Sequence, residues 1–385
     1  MKRRIFFTVV ALVATLSVSW TQTSEAHDQL VYVGTYTGGK SPSKGIYVYG
    51  LDSTSGKLTP MGVAAEANKP SFLALHPSKK FLYAVAEGDG KQGGLSSYSI
   101  DPSSGKLTLL NQQSSQGSGP CHVSVDATGK VLFVANYGSG HVASLAIKED
   151  GSIGDAITAI QQGPPSNVNA KGRQKGPHAH SFYPSPDNRY ALSCDLGCDR
   201  VFVYQLDPAT GALTANEAGS ANVPPGGGPR HFAFHPNGKF GYACNELTMA
   251  VTSFSYDADA GALKALETIS TLPEGTAIEG FSTAETVAHP SGKFVYVSNR
   301  GHNSLATFTV DEVTGKLTFV EAAPSVVAIP RNFNVDPSGK WLIAAGQQSN
   351  DIVVFAIDQT TGKLTPTGER HEVGAPVCIK FLSLK

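Results

Sequence analysis

The chain has 385 residues, of which 41 are glycine and 23 are proline, and only 16% are charged. This composition is too rich in turn-forming residues for a mainly helical protein and too apolar for a disordered one, so it favours a β-rich globular fold. The formal net charge is −1 and no long run of one sign occurs, which argues against a nucleic-acid-binding protein.

The first 26 residues have the features of a signal peptide. Lys2–Arg4 form a positive amino-terminal region, Ile5–Val18 are almost wholly apolar, and Ser24–Ala26 match the small-x-small pattern of a cleavage site. The apolar stretch is shorter than the ~20 residues that a membrane-spanning helix needs. We therefore predict cleavage after Ala26 and export of residues 27–385 as one domain without a membrane anchor, to a periplasm or the extracellular space.

The exported part contains five cysteines, too few to form a disulfide scaffold. Cys194 and Cys198 are close enough in sequence to bridge a hairpin in an oxidising compartment. They are equally compatible with two buried thiols in adjacent strands, and the sequence leaves both interpretations open.

A short turn motif recurs along the chain: an acidic residue, a polar turn, glycine and usually Leu-Thr. Clear copies read DSTSGKLT from Asp52, DPSSGKLT from Asp101 and DEVTGKLT from Asp311. The turn glycines recur at a mean spacing of about 51 residues, at Gly56, Gly105, Gly151, Gly211, Gly261, Gly315 and Gly362. Seven copies at regular spacing indicate an array of seven similar units.

A second motif, His/Asp-Pro-x-Gly-Lys followed by an alternating strand, falls between these turns. Together the two motifs divide each unit into four short strands, which in one unit are predicted at Arg230–His235, Phe240–Asn245, Val251–Tyr256 and Ala262–Ile269. Only the region from Ala262 to Leu272 is also compatible with a helix. Seven units of four antiparallel strands predict an all-β fold, the seven-bladed β-propeller.

The two ends of the repeat region complement each other. Leu30–Thr37 has the pattern of a second strand that lacks its first strand, and Ala375–Phe381 has the pattern of a first strand with nothing after it. We predict that these two strands pair and complete the seventh blade. Such pairing closes the ring and removes sheet edges that would otherwise promote aggregation.

Positions at which the repeats differ identify candidate functional residues. In a propeller, the start of each first strand and the end of each second strand surround the channel on one face. Solvated strand ends are often polar, so the argument depends on two sets of positions meeting at one channel mouth. The polar residues selected there are His122, Asn136, His178, His180, Arg230, His231, Glu246, Arg300, Arg331 and Gln347.

The three arginines in this set indicate an anionic ligand, because a guanidinium group cannot lose its charge by deprotonation. Pairing with arginine would keep Glu246 ionised, whereas His180 titrates near neutrality and suits proton transfer. His178 and His180 share one side of a strand, but no definite third ligand accompanies them, so we predict neither a metal nor another cofactor.

The long segment Gly163–Gly176 enters the first strand of the unit that carries His180. It brings three cations, Lys171, Arg173 and Lys175, to the same face. We interpret it either as a lid over the site or as a solvated loop.

Several motifs resemble the seven-bladed propeller lactonases, which include 6-phosphogluconolactonases and the fungal carboxy-cis,cis-muconate cyclases. They are GPRH at 228–231 with FHP at 234–236 and NEL at 245–247, PRNFNVDPSGKWLIAAGQ at 330–347, and His180-Ser181 ahead of SPDNR at 185–189. The resemblance covers residues 30–382 and implies a metal-independent site in the channel mouth. It also implies functional roles for His180, Arg230, Glu246 and Arg300, and it places Arg331 in a further family motif.

The resemblance leads to the expectation of a lactonase that hydrolyses a small anionic sugar-acid lactone. Arg230 and Arg300 would hold the anion, and Glu246 or His180 would activate water. Because the signal peptide predicts export, an unphosphorylated aldonolactone is a candidate substrate beside 6-phosphogluconolactone. The alternatives are a muconate-type lactonising cyclase and a non-catalytic exported propeller that binds a ligand or protein.

Overall fold

The computed structural model describes Met1, Ile5 and residues 27–88, 94–169 and 172–384. Apart from Met1 and Ile5, the predicted signal peptide lies outside these residues, and so does Lys171. No helix in the described part of the chain has both the length and the apolar character needed to span a membrane.

The described residues form 29 strands in seven antiparallel sheets, which are the seven blades of the propeller. Blade 1 contains β29 (Pro376–Ser383), β1 (Gln29–Thr35), β2 (Gly45–Leu51) and β3 (Leu58–Glu66). Blade 2 contains β4 (Leu73–Leu75), β5 (Phe81–Ala86), β6 (Gly94–Ile100) and β7 (Leu107–Ser114). Blade 3 contains β8 (Pro120–Val125), β9 (Val131–Asn136), β10 (His141–Ile147) and β11 (Ile153–Gln161).

Blade 4 contains β12 (Ala179–Pro184), β13 (Tyr190–Asp195), β14 (Arg200–Leu206) and β15 (Leu213–Ala215), with β16 (Ala221–Asn222) also paired to β14. Blade 5 contains β17 (Pro229–Phe234), β18 (Phe240–Asn245), β19 (Ala250–Asp257) and β20 (Ala262–Ser270). Blade 6 contains β21 (Ser282–Ala288), β22 (Phe294–Arg300), β23 (Ser304–Val310) and β24 (Leu317–Pro324). Blade 7 contains β25 (Pro330–Val335), β26 (Trp341–Gly346), β27 (Asp351–Ile357) and β28 (Leu364–Glu372). The one helix in the described residues is a 3₁₀ turn at Glu217–Gly219.

The first strand of each blade lies at the central channel, and successive first strands contact each other around a closed ring: β29, β4, β8, β12, β17, β21 and β25. The apolar core lies between blades as well as within them. Phe294 and Tyr296 of blade 6, for example, belong to one cluster with Phe333, Leu342 and Phe355 of blade 7. Burial between neighbouring sheets therefore fixes the position of each inner strand.

Both repeated sequence motifs form turns within one blade that contact the neighbouring blade. The turn glycine Gly315 has φ +73°, and a Cβ there would lie 2.3 Å from a ring carbon of Phe240 in the preceding blade, so only glycine fits. In the second motif, His289 Nε2 donates a hydrogen bond to the carbonyl of Gly339 in the next blade at 2.7 Å. The motifs recur because each blade must meet its neighbour in the same way.

The predicted blade architecture is confirmed. The second strand of the unit predicted in detail has the expected bounds, Phe240–Asn245, and β20 is a strand, so the helical interpretation of that region is wrong. The chain ends close the ring as predicted, because β1 pairs with β29 in antiparallel register. All five cysteines are free and buried, which favours the buried-thiol interpretation for Cys194 and Cys198.

Candidate active site

β-bulges turn one side chain per blade toward the channel at the start of several inner strands. The pairing register shifts across the first residues of β8, β12, β17 and β25, and one residue in each strand has no partner opposite it. A bulge bends its strand and redirects the extra side chain. The residues presented in this way are Cys121, His180, Arg230 and Arg331.

Three of these side chains, Cys121, His180 and Arg331, line a cavity of about 180 Å³ in the channel mouth. A cavity of about 10 Å³ adjoins it, shares Glu87, Cys121 and Arg331 with it, and also contacts Arg230 and His231. A larger cavity of about 420 Å³ between blades 1 and 2 has no arginine or histidine in its lining. The 180 Å³ cavity is lined by Glu87, Cys121, Tyr137, Arg173, His180, Glu246, Arg300 and Arg331.

Glu246 is the centre of the charge arrangement in this pocket. It follows β18 directly, is 2% exposed, and accepts a hydrogen bond from Arg173 Nη1. Its Oε2 lies 3.0 Å from Arg230 Nε, and its Oε1 lies 2.9 Å from Arg300 Nη2. Burial alone would raise the pKa of this carboxyl, but Arg300, Arg230 and Arg173 together lower it to about 2. Glu246 is therefore an ionised anchor for three guanidinium groups.

A second carboxylate, that of Glu87, also lines the pocket. Its Oε2 accepts a hydrogen bond from Ser71 Oγ at 2.6 Å. Arg331 lines the same cavity and is positioned over the ring of Tyr36, 5.5 Å from its centre. This contact fixes the guanidinium group of Arg331 at the pocket wall.

His180 is the pocket residue with the chemistry of a neutral base. Burial, and then the charge of Arg230, lower its pKa well below the usual value for histidine, so the ring is neutral at pH 7. Its Nδ1 lies 3.8 Å from Cys121 Sγ. Burial raises the pKa of Cys121 to about 12, so this neighbour is an uncharged thiol.

The rings of His122 and His231 are neighbours, with their centres 5.5 Å apart. Phe72 packs against both rings, 4.3 Å from that of His122 and 5.5 Å from that of His231. Neither histidine lines the 180 Å³ cavity. In the described part of the chain, no group of three His, Cys, Asp or Glu side chains could hold a metal ion.

Besides His122, three residues selected from the sequence line neither of these two cavities. Asn136 is fully buried and donates from Nδ2 to the carbonyl of Ser115 at 2.9 Å. His178 stacks on Tyr137 and lines an open depression outside the pocket. Gln347 is partly exposed, and its backbone N–H donates to the carbonyl of Ile329 at 3.1 Å. The structure thus brings His180, Arg230, Glu246, Arg300 and Arg331 together but not these three.

Sequence comparison of the repeats missed Tyr137 and did not select Glu87 or Cys121. The channel-facing position is the residue directly after the second strand, where Glu87, Tyr137 and Glu246 follow β5, β9 and β18. Asn136 is one residue earlier, and successive side chains of a strand point to opposite faces. Alignment of the repeats on Glu246 would have identified Tyr137.

Related proteins match most of the chain. The chain matches the family described as lactonase, 7-bladed beta-propeller, over residues 30–381. It is 38% identical to 6-phosphogluconolactonase of Bacillus subtilis over 91% of this chain and 97% of that protein. It is 35% identical to 6-phosphogluconolactonase of Formosa agariphila over 80% of this chain and 86% of that protein.

Solved structures give the same result. A periplasmic gluconolactonase of Pseudomonas aeruginosa is similar with a TM-score of 0.86 and 35% identity, covering 93% of this chain and 99% of that chain. A putative 6-phosphogluconolactonase of Bacteroides fragilis is similar with a TM-score of 0.85 and 34% identity, covering 92% and 98%. The protein therefore belongs to the seven-bladed β-propeller lactonase family.

Proposed function

We propose that the protein is an exported lactonase that hydrolyses a small anionic sugar-acid lactone in the arginine-lined pocket. Support for the reaction comes from the related 6-phosphogluconolactonases. Support for export comes from the predicted signal peptide and from the structural similarity to a periplasmic gluconolactonase. An exported enzyme of this kind would act on an unphosphorylated aldonolactone.

The surplus of positive charge in the site is the observation that supports an anionic ligand. Among the described residues, four guanidinium groups, those of Arg173, Arg230, Arg300 and Arg331, surround the two cavities, and two carboxylates, Glu87 and Glu246, accompany them. An anion that develops on the lactone carbonyl oxygen during hydrolysis would meet preorganised donors here. The cavity of about 180 Å³ suits a ligand smaller than those of typical drug-binding pockets.

Of the two candidate bases, His180 fits the role better than Glu246. Three arginines contact the carboxylate of Glu246 and hold its pKa at about 2, so it has little tendency to take a proton. His180 is neutral and lines the same cavity, and so offers an unprotonated ring nitrogen to a water molecule. We assign water activation to His180 and the positioning of the arginines to Glu246.

A pH-stat assay of residues 27–385 with D-glucono-δ-lactone and 6-phosphogluconolactone tests this proposal. We expect lactone hydrolysis well above the spontaneous rate. Arg300→Ala should lower kcat/KM about 100-fold, because it removes a charged donor from a buried site. His180→Asn should lower kcat by about 100-fold and change KM little.

Arg370→Ala is a matched control, because Arg370 is 54% exposed and pairs with Asp351 away from the channel. It should retain the wild-type rate. A wild-type protein that hydrolyses neither lactone above the spontaneous rate would contradict the proposed reaction. Unchanged kinetics in Arg300→Ala and His180→Asn would contradict the assignment of the site.

A further inference from the structure

A buried glutamate and histidine pair adjoins the pocket through the cavity of about 10 Å³, and the proposed hydrolysis does not yet use it. Glu285 is 5% exposed and His231 is 2% exposed. His231 Nδ1 lies 2.7 Å from Glu285 Oε1, which also accepts a hydrogen bond from the N–H of Thr286 at 3.0 Å. Asn332 Nδ2 donates to Glu285 Oε2 at 2.5 Å. The carboxylate is thus fixed on both oxygens, and it fixes the orientation of the histidine ring in turn.

The second ring nitrogen of His231, Nε2, is buried and has no hydrogen-bond partner among the residues that the structure describes. An unpaired polar atom is unusual in a protein interior. His231 also lines the cavity of about 10 Å³ that adjoins the pocket. That volume is about the size of one water molecule. With Nδ1 bonded to Glu285, Nε2 is the ring nitrogen that remains for a group on the pocket side.

His180 lies next to this pair. The ring centres of His180 and His231 are 5.3 Å apart with the rings edge to face, a separation that one water molecule can bridge. In the described residues, the polar contact of the His180 ring is with the thiol of Cys121, and no carboxylate bonds to it. A proton on His180 would therefore face the charges of Arg230 and Arg331 without a hydrogen-bonded carboxylate.

We propose that Glu285, acting through His231, is the acceptor of the proton that His180 removes from the attacking water. This inference rests on the proposed lactonase function and extends it to a further pair of residues. His231 acts as the carrier, and Glu285 is the carboxylate that finally holds the proton.

The proton transfers balance over one turnover. As the water oxygen bonds to the lactone carbonyl carbon, the carbonyl electron pair moves to its oxygen and the water proton moves to His180. A proton then passes to His231 Nε2, directly or through one water, while Nδ1–H transfers its proton to Glu285 Oε1. When the ring C–O bond breaks, the proton returns by the same path to the ring oxygen, which becomes a hydroxyl group. The new carboxylic acid loses its own proton to solvent.

The surroundings of Glu285 suit a temporary proton acceptor. Burial raises its pKa to about 7, although Arg230 and Lys380 oppose this effect. His231 keeps a pKa well below the usual value because of burial and then the charge of Arg230, so a proton on the pair resides on the glutamate. The titratable and charged groups that face Glu285 are Arg230 and His231 of β17, Tyr183 of β12, Cys244 of β18, and Cys378 and Lys380 of β29.

The pH dependence of kcat tests the relay. Glu285 must be ionised to accept a proton, so wild-type kcat should fall as the pH decreases through about 7. Glu285→Gln should lower kcat at pH 8 by about tenfold or more and leave KM within twofold. It should also abolish the decrease in kcat as the pH falls through about 7. His231→Gln should have the same effect, and the double variant should be no slower than either single variant, because residues that act as a unit are not additive.

Asp351→Asn is the matched control for the loss of a buried carboxylate, since Asp351 is 2% exposed and lies on β27, the third strand of blade 7. It should keep the wild-type pH profile. Glu285→Gln with the wild-type kcat and the same decrease in kcat near pH 7 would overturn the relay. Equal losses of kcat in Glu285→Gln and Asp351→Asn would also overturn it.

If Glu285→Gln does not fold, the pH profile of the wild type and the kinetics of His231→Gln decide the question. A wild type without lactonase activity would contradict both the proposed function and the relay. An active wild type together with a Glu285→Gln variant of unchanged kinetics would contradict only the relay.

Discussion

Glu246 organises the site because it combines deep burial with three cationic partners. A buried carboxylate is costly by itself, and here the nearby guanidinium charges offset that cost. Arg230 is held further by its hydrogen bond to the carbonyl of Ala284 in the next blade. The positions of the arginines therefore depend on both the carboxylate and the adjacent inner strand.

Glu246→Gln should destabilise the protein by about 3–5 kcal/mol at pH 7, because it leaves buried guanidinium groups without their counter-charge. The pKa of Glu246 is lowered in the folded state, so its contribution to stability is present above the unfolded-state pKa and is lost as the pH falls toward about 2. The difference in the free energy of unfolding between wild type and variant should therefore shrink between pH 5 and pH 2. Urea denaturation followed by circular dichroism measures this difference.

Glu369→Gln provides the comparison, because the Glu369 side chain is 35% exposed and pairs with His371. Its effect on stability should stay within about 0.5 kcal/mol. Equal stability of wild type and Glu246→Gln at pH 7 would show that the arginine cluster does not need this carboxylate.

Single residues of the site were predictable from the sequence only where they depart from the repeat pattern. His180, Arg230 and Arg331 interrupt apolar strands, so comparison of the repeats selects them. The bulges that direct these side chains into one pocket depend on the register between two strands, which the residue pattern does not contain. The partnership of His231 with Glu285 depends on the contact between β17 and β21 and was likewise missed.

At the scale of elements, the segment between β11 and β12 adds a residue that no inner strand supplies. Arg173 reaches Glu246 from this segment although 46% of its side chain is exposed. Gln174, which is fully buried, holds the segment by donating from Nε2 to Asp199 Oδ1 at 2.6 Å and to the carbonyl of Leu196 at 3.0 Å. The loop is thus attached to blade 4 beside the residue that contacts the pocket.

Gln174→Ala should raise KM for the lactone about tenfold and leave kcat within twofold. The variant removes the bonds that position Arg173, and a loss of about 1.4 kcal/mol in binding corresponds to tenfold in affinity. Arg173→Ala should have a similar effect, whereas Lys175→Ala, in the same loop but outside the pocket lining, should match wild type. Steady-state kinetics measures all three, and an unchanged KM in Gln174→Ala would refute the role of this attachment.

The strand pattern itself was well determined by local sequence. The turn motif fixes where each outer strand begins, and Phe240–Asn245 alternates as a buried second strand should. The region from Ala262 to Leu272 was ambiguous because β20 is an outermost strand, with a single strand neighbour and many exposed side chains. Pairing with β19, which is a tertiary contact, decides its conformation.

At the scale of the whole molecule, the ring is closed by strands from the two ends of the chain. β29 pairs with β1 along seven registered positions and also contacts the inner strands on either side, β25 and β4. A closed ring leaves no inner strand without two neighbours. The sequence predicted this closure because the first repeat lacks its first strand and the end of the chain has the pattern of an additional first strand.

Removal of residues 376–385 should abolish the cooperative melting transition of residues 27–385. It exposes the apolar edge of β1 and leaves blade 1 without its inner strand. Differential scanning calorimetry tests this expectation. A chain that lacks only Lys385 should melt like the full-length form, and a truncated chain with a normal transition would show that the closure is dispensable.

The bulges separate two tasks that a regular strand would assign to the same residues. Flanking residues such as Ser181 and Phe182 keep their pairing with β13, while the extra residue, His180, lines the pocket. A substitution at the extra position therefore changes the lining of the pocket and leaves intact the pairing that holds the ring. This arrangement opens the pocket to change by single substitutions, at positions that several blades contribute to one cavity.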